Sequence, residues 1–408
     1  MSHIIFHIDV NSAYLSWTAV EQLKNGADVD IRTIPAIIGG DRESRHGIVL
    51  AKSPSAKKFG IRTGEPVVNA FRKCPNLHMD PPNHRMYREY SRRLMDFLKT
   101  YTPEIEQVSV DECYMDFTGI AQRFSSPVEA AYEIKARVYE KFGFTVNVGI
   151  STNKLLAKMA SDFEKPNRVH TLFPEEVKEK MWPLPVSELF MAGKSSVAIL
   201  EKLEIRTIGE LAKTDPKLLE FHLKSHGRTL WEFANGIGDA KVQSEETAAK
   251  GVGNSTTLPK DVEKAEDAKK VLFSLAESVG KRLRKAGQKA NMVSVEIRYS
   301  DFQNVSHQKQ LGRASGADQV IYEAACSLFD ELWNGEPIRL LGVRTAKLVD
   351  EDEPEQLSLF DLQFEVKSEK PKKSMEKLKK LSAAMGEIRG KYGADAVIRG
   401  SVLEQREK

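Results

Sequence analysis

Two acidic sites are the features that most constrain the fold and the function of this chain, because each falls where a short β-type run stops. Asp9 follows the run at 4–8, and the adjacent pair Asp111 and Glu112 follows the run at 105–110, beyond which the strand pattern resumes at 114–117. If these strands are neighbours in one sheet, three carboxylates converge at its edge. Such a cluster repels itself unless cations neutralise it, and hard oxygen ligands select Mg²⁺ or Mn²⁺. The pattern predicts a two-metal phosphoryl-transfer site, although either motif alone is more often plain surface.

The composition is typical of an ordinary soluble protein. The 408 residues predict about two to four domains. Charged residues make up 29% and hydrophobic ones 41%, and no apolar run approaches the roughly 18–20 residues that cross a membrane. The chain begins directly with strand-like sequence, so we expect no signal peptide. Cys74, Cys113 and Cys326 are widely separated and indicate reduced thiols, hence a cytoplasmic protein.

The first part of the chain mixes strands and helices. Strands are expected at 1–10 and 145–150, and helical spacing is found at 84–99, 127–142 and 153–162. This order suits an α+β sheet with helices on one face and acids at the turn of a β-hairpin. Residues 11–80 interrupt the pattern as a small inserted subdomain.

In the second part of the chain the predicted secondary structure changes twice. Between 183 and 238 the sequence predicts paired short helices, at 199–205 with 207–212 and again within 219–231. Such pairs can hold a DNA phosphate through the backbone amides of the turn, or they can serve only to pack against each other, and the sequence is compatible with both roles. Beyond 248 the predicted order is strand, helix, strand, strand, helix, strand, at 250–258, 261–286, 291–300, 303–311, 316–334 and 338–348. This is a separate ferredoxin-like module, with 16 Lys and Arg against 12 Asp and Glu over 248–348.

Three motifs in order carry a family resemblance. They are Asp-Val-Asn-Ser-Ala-Tyr at 9–14, Ser-Val-Asp-Glu-Cys-Tyr-Met-Asp at 109–116, and the segment 149–162 followed by Lys-Pro-Asn at 165–167. With them the chain resembles the Y-family translesion DNA polymerases, in particular the DinB, or DNA polymerase IV, branch, over about residues 1–348. The resemblance implies an α+β right-hand architecture with a ferredoxin-like little finger. The implied domains are a palm from 1–12 and 80–168, fingers from 13–79, a thumb from 169–240 and the little finger from 248–348.

The resemblance also implies a reaction and a metal site. Asp9 and Asp111 would bridge two Mg²⁺ ions, for which Mn²⁺ can substitute. The Val10 carbonyl would bind the nucleotide-side metal, and Glu112 the metal that activates the primer 3′-hydroxyl. The implied activity is template-directed, low-fidelity DNA synthesis past damaged bases, which joins a dNTP to the primer and releases pyrophosphate.

Nucleotide-binding residues follow from the same resemblance. Tyr14 falls where the family places a bulky ring under the deoxyribose, which excludes a 2′-hydroxyl by collision. Lys165 matches a lysine that contacts the triphosphate. In the fingers, Pro54 and Lys57 stand where most relatives have Tyr and Arg, so phosphate binding is expected to be looser or shared between Lys57 and Lys52.

The tail from 349 to 408 holds one further motif. After the acidic run at 350–355 come Gln356, Leu357, Leu359 and Phe360, which resemble the peptide by which bacterial polymerases dock on the β subunit sliding clamp. Apolar anchors beside a Gln suit an extended peptide that fills a surface pocket, but a similar run also occurs in protein cores.

Two other classes of protein fit the sequence less well. A non-catalytic polymerase-like adaptor would not need all three carboxylates, and a palm-type nucleotide cyclase would need neither a thumb nor a basic module nor a clamp peptide. The expected partners are therefore primer-template DNA, a dNTP and the sliding clamp, with no membrane, and the chain is expected to be a monomer.

Overall fold

The computed structural model describes residues 3–41, 47–245 and 248–353, together with the single positions 384, 388, 391, 392 and 396. The chain divides into two compact units, Met1–Glu246 and Thr247–Lys408. The predicted clamp-binding residues Gln356, Leu357, Leu359 and Phe360 lie outside the described residues.

The first unit alternates strands and helices and then becomes helical. In chain order its elements are β1 (Ile5–Val10), α1 (Ala13–Lys24), β2 (Ala36–Gly39), β3 (Val49–Lys52), α2 (Pro54–Lys58), α3 (Val67–Lys73), β4 (His78–Asp80), α4 (His84–Leu98), β5 (Ile105–Gln107), β6 (Glu112–Asp116), α5 (Pro127–Phe142), β7 (Val146–Ser151), α6 (Lys154–Asp162), β8 (Val169–Thr171), α7 (Lys194–Lys202), α8 (Ile208–Lys213), α9 (Pro216–Leu223) and α10 (Ser225–Ala234). Short 3₁₀ helices occur at Thr118–Arg123, Pro174–Glu176 and Val186–Glu188, and a π-helical turn at Val177–Met181.

A five-stranded sheet in the order β5-β6-β1-β7-β8 carries the acidic motifs. The central strand β1 is antiparallel to both β6 and β7, so the two acidic strands are neighbours in one sheet, as convergence of the carboxylates requires. The predicted strand to residue 110 is too long, because β5 stops at Gln107. The N–H groups of Val108 and Ser109 both donate to the carbonyl of Glu112, at 3.1 and 3.3 Å, and this tight turn carries Asp111.

Helices cover both faces of this sheet, whereas the sequence predicted helices on one face. Phe6 and Ile8 of β1 pack into the large core formed with α4 and α5. Ile5 packs on the opposite face against Ala157 of α6. Because side chains alternate along a strand, His7 and Asp9 share the α6 face with Ile5.

A second, three-stranded sheet in the order β3-β2-β4 forms between α1 and α4 in the sequence. Its strands pack against α2 and α3 around Ile37, Val49 and Ile61. Helix α1 joins the two sheets, because Trp17 packs into the core of the large sheet while Leu15 packs against the small one. The paired helices α7 with α8 and α9 with α10 confirm the short helices predicted for 183–238.

The second unit contains β9 (Gly251–Val262), α11 (Ala265–Lys285), β10 (Gln288–Tyr299), β11 (Asn304–Ser315), α12 (Asp318–Leu332) and β12 (Ile338–Asp350). The predicted β-α-β-β-α-β order is confirmed, and the antiparallel sheet runs β11-β10-β12-β9. Each helix connects two strands separated by one intervening strand, as in a split β-α-β unit. The helix predicted from 261 begins later, because β9 continues to pair with β12 as far as Val262. Within the described residues, no helix is long and apolar enough to cross a membrane.

Candidate catalytic site

The strand register brings the two acidic motifs side by side. Asp9 on β1 lies directly opposite Glu112 on β6, and the N–H of Val10 donates to the carbonyl of Asp111 at 3.0 Å. The backbone pairing of β1 with β6 therefore brings the carboxylates to the same end of the sheet. A shift of this register by one residue would turn the carboxylate of one strand to the other face of the sheet.

Asp111 is a partly buried carboxylate among other acids. Its Oδ1 accepts a 2.6 Å hydrogen bond from the Ser109 hydroxyl. Burial raises the pKa of Asp111, and the charges of Asp9 and Glu112 raise it further. The three acids are therefore close enough to repel one another, so a cation at this edge would be stabilised.

Glu112 is held by two basic side chains on the α6 face. Its Oε2 lies 2.9 Å from the ammonium of Lys158 and 3.3 Å from Nε2 of His7. His7 first and Lys158 second lower the pKa of Glu112 to about 2. Because His7 Nε2 has no aligned hydrogen-bond partner, Lys158 is the partner that holds the carboxylate.

His7 is itself buried and oriented by α6. Its Nδ1 lies 2.8 Å from the Ser161 hydroxyl, and that hydroxyl donates to the carbonyl of Lys158 at 2.8 Å. Burial is the main cause that lowers the pKa of His7.

Gly149 lets α6 approach the sheet closely enough for these contacts. A Cβ at this position would lie 2.0 Å from the carbonyl oxygen of Ala157 and 2.4 Å from the nitrogen of Ser161. Any larger residue would push α6 away from β7. The glycine in the third motif therefore helps to place Lys158 and Ser161 over the acidic strands.

Lys165 follows α6 and contacts Asp9 and, at 2.8 Å, Asp162. Burial acts against its charge, but the two carboxylates raise the pKa of Lys165 overall. In the described part of the chain no three acidic, His or Cys side chains are arranged as a ready metal site, because Asp9 and Glu112 turn towards lysines. The donor set nevertheless fits Mg²⁺ or Mn²⁺, since it offers only carboxylate and carbonyl oxygens and its repulsion would be relieved by a cation.

A cavity of about 530 Å³ gathers most of the predicted site residues. Its lining includes Asp9, Asp111, Tyr14, Lys52, Lys57 and Lys165. Carboxylates and lysines thus face the same space, which suits a ligand that carries both negative charge and bound cations. Glu112 does not line this cavity but lies beside it, at Lys158 of α6.

Tyr14 forms one wall of the cavity and is held by aromatic side chains of α4. Its ring stacks on Tyr87 with centroids 4.3 Å apart and an angle of 7°, and His84 meets it edge-on at 6.0 Å. The Thr18 hydroxyl links the two, 3.1 Å from the Tyr87 hydroxyl and donating to the Tyr14 carbonyl at 2.7 Å. Burial, followed by the charge of Asp111, raises the pKa of Tyr14.

The end of β3 and the start of α2 form another part of the cavity wall. Ser53 caps this helix by accepting from the N–H of Ala56 at 3.0 Å, and Pro54 occupies the first turn, where its missing N–H costs nothing. Lys52 donates to Thr63 at 3.2 Å, and burial together with Lys57 lowers the pKa of Lys52. Two neighbouring lysines that repel each other in this way favour an anion between them.

Sequence reasoning did not single out several residues of the site. Tyr87 was visible only as part of the apolar spacing of a helix. Lys158 lies inside the third motif and His7 lies two residues before the first motif, and neither was given a role. Their proximity to Glu112 and Tyr14 depends on how α4 and α6 pack, which no local pattern encodes.

Comparisons with known proteins agree with this architecture. Residues 8–162 match the impB/mucB/samB family, and residues 249–359 match the C-terminal domain of that family. DNA polymerase IV of Clostridium acetobutylicum is 48% identical over the full length of both chains. DNA polymerase IV 1 of Bacillus subtilis is 37% identical over 100% of this chain and 94% of its own length. A solved Y-family DNA polymerase chimera, Dbh-Dpo4(243-245)-Dbh, has a similar fold, with a TM-score of 0.75 and 23% identity over 85% of this chain and 99% of that chain.

The fold is that of a Y-family DNA polymerase. The chain belongs to the impB/mucB/samB family and, within it, to the DNA polymerase IV branch, as the sequence motifs predicted. It is accordingly a DNA-directed DNA polymerase.

Proposed function

We propose that this chain performs low-fidelity translesion DNA synthesis by two-metal nucleotidyl transfer from a dNTP to a primer 3′-hydroxyl, with release of pyrophosphate. The observation that carries the proposal is a single cavity lined by the acids Asp9 and Asp111 and by the lysines Lys52, Lys57 and Lys165, with Tyr14 also in its wall. Acidic and basic groups around one space match what a triphosphate with bound cations requires.

Two Mg²⁺ ions, or Mn²⁺ in their place, would be held by Asp9, Asp111, Glu112 and the Val10 carbonyl, and would activate the 3′-hydroxyl and neutralise charge on the phosphates. The protein contributes the positions of the acids through the β1–β6 register. Lys158 keeps Glu112 ionised and in place.

The lysines bind the triphosphate in this proposal. Lys165 contacts Asp9 directly and would transfer its contact to a phosphate oxygen when the nucleotide enters. Lys52 at the end of β3 and Lys57 on α2 each offer a point charge on a flexible stem rather than a bidentate fork. Positioning of this kind supplies most of the catalysis in phosphoryl transfer.

Tyr14 selects the sugar sterically. Its ring cannot move away easily, because Tyr87 stacks behind it. The small side chains of Ser12 and Ala13 also line the cavity, which leaves room around a nascent base pair and supports tolerance of distorted templates.

Two macromolecular partners complete the proposal. Primer-template DNA would contact the paired helices α7 and α8 and the polar face of the second unit, where a groove of about 880 Å³ is lined by residues such as Ser255, Ser306 and Arg344. The β subunit sliding clamp would bind the peptide at Gln356, Leu357, Leu359 and Phe360. We expect the protein to act as a monomer in the cytoplasm.

Primer extension by the purified chain tests the proposal directly. We expect extension with Mg²⁺ or Mn²⁺ on undamaged DNA and past a single lesion, and none after chelation. A binding-only adaptor would give no extension on either template, and a nucleotide cyclase would release a cyclic product without primer. Either result would overturn the proposed reaction, whereas extension that stops at every lesion would overturn only the translesion assignment.

A further inference from the structure

We infer that Asn147, together with Asn11, is a positioning residue that fixes the loop bearing Lys165 and thereby the affinity of the enzyme for the nucleotide triphosphate. The inference rests on the triphosphate-binding role proposed for Lys165. Asn11 lines the cavity, whereas Asn147 does not. Neither amide side chain is proposed to touch the reacting atoms.

Asn147 lies on β7 directly opposite Asp9 of β1 and is fully buried. Its Nδ2 donates to the carbonyls of Ser161 and Glu164, at 3.0 and 2.7 Å. Its Oδ1 accepts from Asn11 Nδ2 at 3.0 Å and from the N–H of Arg168 at 3.1 Å. Both donor hydrogens and both acceptor positions of this amide are therefore used.

Asn11 continues the same network from the end of β1. Its Oδ1 accepts from the N–H of Asn167 at 2.9 Å and from the Thr145 hydroxyl at 2.9 Å. The two amides thus hold the loop at three backbone atoms: the oxygen of Glu164 and the nitrogens of Asn167 and Arg168. Lys165 lies between these anchors.

The loop depends on these side chains because residues 163–168 belong to no helix or strand. Backbone groups outside regular structure need partners elsewhere, and buried amides supply them here. Lys165 has a flexible four-carbon side chain, so the position of its ammonium is set first by where its backbone is anchored. The anchoring side chains come from β7 and from the end of β1, and β1 also carries Asp9. The backbone of Lys165 and the carboxylate of Asp9 are therefore held by the same pair of strands.

A hydrogen-bond network of this kind is strong only when all its members are satisfied. Asn147→Ser removes the hydrogen bonds to Glu164 and Arg168, because serine is too short to reach them, and it adds no charge beside Asp9. Asn11→Ser removes the bond to Asn167 from the other side. Both changes should let the loop move and should weaken nucleotide binding through Lys165 alone.

The test is a double-mutant cycle on equilibrium binding of a dNTP to the full-length enzyme with a dideoxy-terminated primer-template. We expect Asn147→Ser to weaken the Kd about tenfold and Lys165→Ala to weaken it at least as much. In the Lys165→Ala background, Asn147→Ser should have little further effect, because the lysine that it positions is gone. Asn11→Ser should behave in the same way.

Asn235→Ser is the matched control, since Asn235 also bonds two backbone carbonyls, at Ala212 and Trp231, but on the thumb side of the unit. It should leave the Kd unchanged, and thermal unfolding should show that each variant is folded at the assay temperature. If Lys165→Ala leaves the Kd unchanged, the role of Lys165 fails and the inference fails with it. Two results would overturn the positioning inference alone, provided that Lys165→Ala weakens binding. In the first, Asn147→Ser and Asn11→Ser leave the Kd unchanged. In the second, each of them weakens the Kd of Lys165→Ala by the same factor as it weakens the Kd of the parent.

Discussion

Asp9 and Glu112 are direct cross-strand partners on β1 and β6, and each contacts a different lysine, Lys165 and Lys158 respectively. Both lysines come from α6 or the loop after it. The carboxylates therefore share one face of the sheet while basic groups hold them in separate positions. This pairing supports the assignment of the edge as the catalytic centre.

Removal of a carboxylate at this edge should abolish synthesis. We expect Asp9→Ala or Asp111→Ala to slow primer extension at least several hundred-fold, about 4 kcal/mol of transition-state stabilisation, because hydroxyl activation and charge neutralisation are both lost. Affinity for primer-template DNA should remain. Asp96→Ala, at an exposed position paired with Arg92 on α4, is the control and should extend like the parent. Near-parent extension by Asp111→Ala would refute the metal-binding role of that residue.

The ring of Tyr14 should control sugar selection. Tyr14→Ala should raise ribonucleotide incorporation far more than it lowers deoxynucleotide incorporation, because the proposed collision with the 2′-hydroxyl disappears. Tyr14→Phe keeps the ring and should keep the selectivity, and Tyr139→Ala, at an exposed tyrosine on α5, should change neither. The measurement is the ratio of kcat/KM for dNTP and rNTP. An unchanged ratio in Tyr14→Ala would place discrimination elsewhere.

The start of α2 should tolerate the residues that are usual in relatives. Pro54→Tyr with Lys57→Arg adds a hydroxyl and a bidentate fork to the cavity wall, so we expect a lower KM for the dNTP. Lys58→Arg on the same short helix does not line the cavity and should leave the KM unchanged. A KM that stays the same or rises in the double variant would mean that this chain positions its triphosphate differently.

The tail peptide should act only through the clamp. Leu359→Ala with Phe360→Ala should remove stimulation by a loaded sliding clamp and shorten the products, because each buried anchor can contribute roughly 1.5–3 kcal/mol. Ser358→Ala, between Leu357 and Leu359, is the control. Synthesis on a bare primer should stay intact. A clamp response equal to the parent's, or an equal loss of basal activity, would mean that this segment is not a docking peptide.

Local patterns in the sequence predicted much of the fold. The alternation around the acids identified β1 and β6, the helical spacing identified α4 and α5, and the order of the second unit followed from the same two periodicities. The family resemblance carried by the three motifs pointed to Tyr14 and Lys165 as site residues, and the structure places both in the cavity that Asp9 and Asp111 line. These features are local because a strand or an amphipathic helix displays its period within a few residues.

Tertiary structure alone decided which distant residues meet. The pairing of Asp9 with Glu112, the contact of Lys158 with Glu112, and the bonds from Asn147 to the Lys165 loop all join segments far apart in the chain. Two features at element ends were also beyond the local pattern: the strand that stops at Gln107 and the strand that continues to Val262. The contacts depend on sheet register and on how closely α6 approaches β7 at Gly149, and the two strand ends depend on how far neighbouring strands pair. A single sequence carries no local signal for such packing between separate elements.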